Sequence, residues 1–132
     1  MKKKIKVLLV DDSAVVRQVL TQIINAHPKM EVSGAAQDPI FAIRYMQKEW
    51  PDVIILDVEM PRMDGFEFAT LVRNDEQFSD IPIIMITSRT GDKHRTRARN
   101  IGVNAYLGKP YQEGELVDTL QNLLGAKYPD HD

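Results

Sequence analysis

The chain has 132 residues, a formal net charge of −2 and no cysteine, which is the size of one ordinary domain with no disulfide framework and no cysteine-ligated zinc. That charge gives no general attraction to nucleic acid, and no apolar run nears the ~20 residues of a membrane span. Lys2, Lys3 and Lys4 are followed by an apolar run that stops at Asp11 and Asp12, unlike a secretory signal, so a cytoplasmic protein without membrane contact is expected.

Apolar runs and helical stripes then alternate. Residues 5–10 read as a first strand ending in two acids. Val16, Val19, Leu20, Ile23 and Ile24 fall on one stripe of a helix over residues 14–26, with Ser13 as N-cap and Pro28 just past its end. Residues 31–36 read as a weak strand, and Pro39 opens a second helix carrying Ile40, Ile43 and Met46 on one side. Val53 to Leu56 is an unbroken apolar strand ending at Asp57. Pro61, Asp64 and Gly65 mark a loop into a third helix over residues 65–74. A second unbroken strand covers residues 81–87, and a highly charged helix covers 91–101. A short strand lies at 104–107, and a last helix over 113–124 turns Leu116, Val117, Leu120, Leu123 and Leu124 inward, with Gly125 just past it.

Strands without alternation are buried on both faces, so five βα units in a row predict an α/β domain with a parallel sheet covered by helices. The order 2-1-3-4-5 of flavodoxin-like, doubly wound sheets is adopted from known sheets of this kind. In them, ligands sit outside the carboxyl ends of strands 1 and 3. The chemically interesting residues fall at strand ends: Asp11 and Asp12 after strand 1, Asp57 after strand 3, Thr87 after strand 4 and Lys109 after strand 5. Three carboxylates in one crevice repel, and Lys109 or a hard divalent cation would offset them. Asp57 would then be a nucleophile toward phosphorus, with a metal, Lys109 and Thr87 each neutralising one phosphoryl oxygen. Singly, each residue has a plainer use: Asp12 as a helix cap, Thr87 as strand filler, Lys109 as a solvated charge.

The set Val-Asp-Asp-Ser at 10–13, Leu-Asp-Val-Glu-Met-Pro-Arg-Met-Asp-Gly at 56–65, Ile-Thr-Ser at 86–88 and Tyr-Leu-Gly-Lys-Pro at 106–110 resembles the response-regulator receiver family over residues 5–124. The resemblance implies a receiver domain over residues 1–125 followed by a tail at 126–132. It implies that Asp57 is the phosphoacceptor, and that Asp11, Asp12, Asp57 and the Val58 backbone carbonyl hold Mg²⁺ or Mn²⁺. Thr87 and Lys109 would bind the phosphoryl group, Tyr106 would move with Thr87 on activation, and the Lys109–Pro110 bond would be cis. The implied partners are a sensor histidine kinase or phosphotransfer domain, and an output protein docking on the fourth helix, fifth strand and fifth helix, with no direct contact to nucleic acid. Residues 5–65 look most like receivers of chemotaxis methylesterases, and residues 66–112 more like receivers of hybrid chemosensory kinases. With no esterase domain beside these motifs, esterase activity is not expected.

In receivers, the residues two places after the phosphoacceptor and after the threonine edge the path of the attacking water. Here they are Glu59 and Arg89, long and oppositely charged. They are expected to meet across the mouth as a dephosphorylation gate that slows hydrolysis. Met60 and Met63 flank the same rim. The fourth helix, with Arg89, Lys93, Arg95, Arg97 and Arg99 against Asp92 alone, fits an acidic partner, and its like-charge i,i+4 pairs make it the expected mobile element. Two other classes share parts of this chemistry. A haloacid-dehalogenase-like phosphohydrolase uses Asp, Thr or Ser, Lys and Mg²⁺, but places its nucleophile in an Asp-x-Asp motif after strand 1, where this chain has Asp11-Asp12-Ser13. A phosphorylation-independent interaction module would have no use for the acid set.

Overall fold

The computed structural model describes residues 4–59 and 64–125. In chain order the elements are β1 (Ile5–Val10), α1 (Ala14–Asn25), β2 (Met30–Ala36), α2 (Pro39–Lys48), β3 (Val53–Asp57), α3 (Gly65–Asn74), β4 (Ile83–Thr87), α4 (Asp92–Ile101), β5 (Ala105–Gly108) and α5 (Glu113–Gly125). The strands form one parallel sheet in the order β2-β1-β3-β4-β5, the doubly wound arrangement expected. β4 begins at Ile83, two residues later than its apolar run, because Pro82 has no N–H to give the ladder. Gly125 is the last residue of α5, one place earlier than the cap expected of it.

Every residue of β3 and β4 is buried, and their side chains alternate between two cores. Ile54, Leu56, Ile83 and Met85 join Leu8, Val10, Phe66, Phe68 and Val72 on the face covered by α2, α3 and α4. Val53, Ile55, Ile84 and Ile86 join Val7, Leu9, Leu20, Ile24, Leu116 and Leu120 on the face covered by α1 and α5. Each such side chain contributes about 1.5–3 kcal/mol on burial, which explains the unbroken apolar runs. β2 is the irregular edge: its register slips between Val7 and Leu8, so Ser33 has no partner on β1.

Three helix starts are capped by side chains, the first by Ser13 as expected. Ser13 Oγ accepts the Val16 N–H at 3.2 Å, Asp38 Oδ1 the Phe41 N–H at 3.0 Å, and Asp64 Oδ1 the Glu67 N–H at 3.0 Å. α4 starts at Gly91 without a side-chain cap and ends at Gly102, whose φ of 103° requires glycine. Gly65 serves close approach: a Cβ there would lie 2.7 Å from Val58 Cα and 2.8 Å from the Asp57 carbonyl oxygen. α3 therefore starts in contact with the end of β3. At its other end, Arg73 ties four segments together. Its Nε donates to the Gly102 carbonyl at 3.0 Å, Nη1 to those of Ser79 and Ile81 at 3.1 and 2.8 Å, and Nη2 to Asn104 Oδ1 at 2.8 Å.

Candidate functional site

The carboxyl ends of β1, β3, β4 and β5 converge, and with them the acids, the threonine and the lysine singled out from the sequence. Asp11 and Asp57 are each 5% exposed, and Thr87 is fully buried. Carboxylate oxygens of Asp11, Asp12 and Asp57 lie within 4.8 Å of one another. Asp11 Oδ1 accepts the Ser13 N–H at 2.8 Å. Arg17 donates to the Asp11 backbone carbonyl at 2.7 Å, so it braces the strand end. Lys109 reaches across from β5 and donates to Asp57 Oδ1 at 2.9 Å, while the Glu59 N–H reaches the same oxygen at 3.2 Å. The Lys109–Pro110 peptide is cis, as the resemblance implies.

The electrostatics follow from this crowding. Burial pushes Asp57 up to about 6 despite the Lys109 hydrogen bond, with Asp11 raising it further. Burial likewise raises Asp11, against the Ser13 N–H that lowers it. Lys109 loses some of its charge preference to burial but gains more from Asp57 and Glu59, and its value rises. One ammonium thus faces three converging carboxylates plus Glu59. A donor set of carboxylate oxygens carrying surplus negative charge fits a hard divalent cation. The Val58 carbonyl, expected as a further ligand, accepts the Gly65 N–H at 2.9 Å and closes the chain onto the start of α3, which leaves its second lone pair for an ion.

The expected pairing of Glu59 with Arg89 is not made. Glu59 turns inward, where Oε1 accepts from Thr87 Oγ1 at 3.0 Å, from the Ser88 N–H at 2.9 Å and from Ser88 Oγ at 2.6 Å. Its Oε2 stands 3.5 Å from Lys109 Nζ, buried and without a hydrogen bond. Burial works against the Glu59 anion, but the Ser88 donors, the neighbouring Asp57 carboxyl, which keeps the proton in preference, and the Thr87 hydroxyl outweigh it and hold the carboxyl down to about 2. Three good donors beat one exposed guanidinium on a long side chain. Arg89 contributes its backbone instead: its N–H donates to Thr87 Oγ1 at 3.0 Å and its carbonyl accepts from Tyr106 Oη at 2.6 Å. Tyr106 is thereby tied to the segment after Thr87, with the Arg95 guanidinium 5.3 Å above its ring. Ser88 is the contributor that sequence reasoning passed over, although it stands in the Ile-Thr-Ser motif. Met60, Met63 and the tail at 126–132 lie outside the described residues.

A doubly wound sheet with an acid pocket at its carboxyl edge, a lysine reaching over it and a buried threonine opposite defines a receiver. The chain belongs to the response regulator receiver domain family, whose model matches residues 7–121. It is 45% identical over 128 residues to protein-glutamate methylesterase/protein-glutamine glutaminase 1 of Pseudomonas savastanoi, covering 94% of this chain and 35% of that protein. It is 50% identical over 112 residues to the corresponding enzyme 2 of Hahella chejuensis, covering 83% of this chain and 30% of that protein. The chain thus spans about a third of the length of these relatives, and the methylesterase likeness runs beyond residues 5–65. Among solved structures, chemotaxis protein CheY4 of Vibrio cholerae superposes with a TM-score of 0.84 at 38% identity, covering 92% of this chain and 99% of that one. The response regulator domain of Thermotoga maritima CheB gives 0.78 at 29% identity, covering 98% of this chain and all of that one. No helix among the described residues is long and apolar enough to cross a membrane.

Proposed function

We propose that this chain is a phosphorylation-activated switch of a chemotaxis-type two-component pathway, with Asp57 as its phosphoacceptor. The observation that carries the reading is the 2.9 Å contact of Lys109 Nζ with Asp57 Oδ1 inside a three-carboxylate pocket beside Thr87. The donor is a phosphohistidine of a sensor kinase or phosphotransfer domain. An Asp57 oxygen forms a bond to phosphorus as the phosphorus–nitrogen bond breaks, and the imidazole leaves, taking a proton from water. With a value of about 6, Asp57 is ionised at neutral pH and needs no general base. Lys109 Nζ and Thr87 Oγ1 hold phosphoryl oxygens as charge gathers on them. Asp11, Asp12 and Asp57 would hold Mg²⁺ or Mn²⁺, which when bound neutralises phosphoryl charge.

Output follows from Thr87. When its hydroxyl turns to a phosphoryl oxygen, the Arg89 N–H that it accepts moves with it, and so does the Arg89 carbonyl that holds Tyr106. The face built by α4, β5 and α5 changes, and an output protein docks there. The basic residues of α4 favour an acidic partner. Incubation with acetyl phosphate and Mg²⁺, read by intact mass, tests the assignment: wild type gains one phosphoryl group and Asp57→Asn gains none. Labelling of Asp57→Asn at the wild-type rate would refute it.

A further inference from the structure

We propose that Glu59 occupies the seat of the incoming phosphoryl group in the resting protein, so that phosphorylation proceeds by exchange of one anion for another. The inference rests on Asp57 being the phosphoacceptor. The donors assigned to the phosphoryl oxygens are already in use. Thr87 Oγ1 donates to Glu59 Oε1, and Lys109 Nζ stands 3.5 Å from Oε2 while it holds Asp57; the Ser88 N–H beside Thr87 also donates to Oε1. A hydroxyl has one proton to donate, so Thr87 serves the Glu59 carboxylate or a phosphoryl oxygen, never both. Lys109 placed between Asp57 and Glu59 completes a ring of donors around an oxyanion that the chain itself supplies.

The site's chemistry makes the exchange demanding. A phosphoryl group on Asp57 brings negative charge within a few ångströms of Glu59, in a pocket that already holds Asp11 and Asp12. Glu59 must therefore withdraw before or during transfer, giving up the Ser88 Oγ contact at 2.6 Å and the two other hydrogen bonds to Oε1. Glu59 neither forms nor breaks a covalent bond. With acetyl phosphate as donor, Asp57 gains the oxygen–phosphorus bond, acetate departs with the electron pair of the broken bond, and the Glu59 side chain swings out. A donor docked on a protein surface can offset the withdrawal with its own contacts, whereas a small free donor cannot. Glu59 is thus a positioning residue that selects against small phosphodonors.

The test compares initial labelling rates of Asp57 by acetyl phosphate and Mg²⁺ in wild type, Glu59→Ala, Ser88→Ala and the double variant, with melting curves to verify folding. Glu59 lies at the partly exposed mouth of the site, so its removal leaves both cores intact. Glu59→Ala should label about tenfold faster, the scale of one net charge-assisted hydrogen bond. Ser88→Ala keeps the Glu59 charge but loosens its hold, and should label about two- to threefold faster, a fraction of one charge-assisted hydrogen bond, since the Thr87 and Ser88 N–H contacts remain. In the Glu59→Ala background Ser88→Ala should add nothing. Equal rates in wild type and Glu59→Ala would overturn seat occupancy while leaving Asp57 as acceptor. A faster Glu59→Ala with Ser88→Ala unchanged would also overturn it, because Glu59 would then act through space and not from the seat. If neither wild type nor any variant is labelled, the phosphoacceptor reading falls and this inference falls with it.

Discussion

α3 and α4 have ten residues each and neighbour one another on the same face of the sheet, yet they are held very differently. α3 has an Asp64 cap and buries Gly65, Phe66, Phe68, Ala69 and Val72. α4 has no side-chain cap and buries only Ala98. Where α4 meets α3 it does so partly through charge on rings, with the Arg97 guanidinium 4.4 Å above the Phe66 ring and His94 stacked on the same ring at 6.4 Å. One helix fixes the end of β3 that carries Asp57. The other leaves the proposed docking face only lightly anchored, and low local stability is what a switching element needs.

The strongest way to break this contrast is Phe68→Ala, which should cost about 3–5 kcal/mol in chemical denaturation, whereas Arg99→Ala on exposed α4 should stay within about 0.5 kcal/mol. A comparable loss for both would show that α4 carries more of the fold than its burial indicates. Next comes Asp57, at the strand end that α3 abuts. Its value in the folded protein, about 6, lies above its ordinary 3.8, so its ionisation opposes folding. Stability without divalent cation should fall as pH rises through the interval from 3.8 to about 6 and then level off. Asp57→Asn should remove that fall and be more stable by about 1–3 kcal/mol at pH 7, with little difference near pH 4. A wild type that loses no stability across that interval would contradict burial that outweighs the Lys109 contact at Asp57.

The smallest effect comes from exchanging the caps. Asp64→Ala should cost about 1 kcal/mol. Gly91→Ser, at φ −66° with nothing within 4 Å of an added Cβ, should add about 0.5 kcal/mol and slow amide exchange in α4 about twofold. Equal slowing in α3 would mean that the two helices open as one unit.

The order of elements and the strand-end positions of Asp11, Asp12, Asp57, Thr87 and Lys109 were legible in the sequence, because unbroken apolar runs have one physical use and acids directly after them need a reason to be there. What was not legible is where long side chains turn. Glu59 reads as a partner for Arg89 across the mouth, and only the fold shows that Thr87 and Ser88, nearly thirty positions later, present three donors to it. Arg73 reads as an ordinary exposed helix residue, since its partners are carbonyls and an amide on three other segments. The weak strand expected at residues 31–36 is there, but its register slip was not legible, because Ser33 and Gly34 carry no apolar pattern from which it might be read.

The Arg73 knot gives α4 a fulcrum. Its Gly102 end is fastened through Arg73 to α3, and its Gly91 end is not. A helix of ten residues is about 15 Å long, so a swing of about 10° about the fastened end displaces the far end by roughly 2.5 Å and the near end hardly at all. The free end follows directly on the segment that Thr87 and Tyr106 hold. A partner gripping α4 near Asp92 and Lys93 would feel the full stroke of such a lever, and one resting near Asn100 would feel almost none.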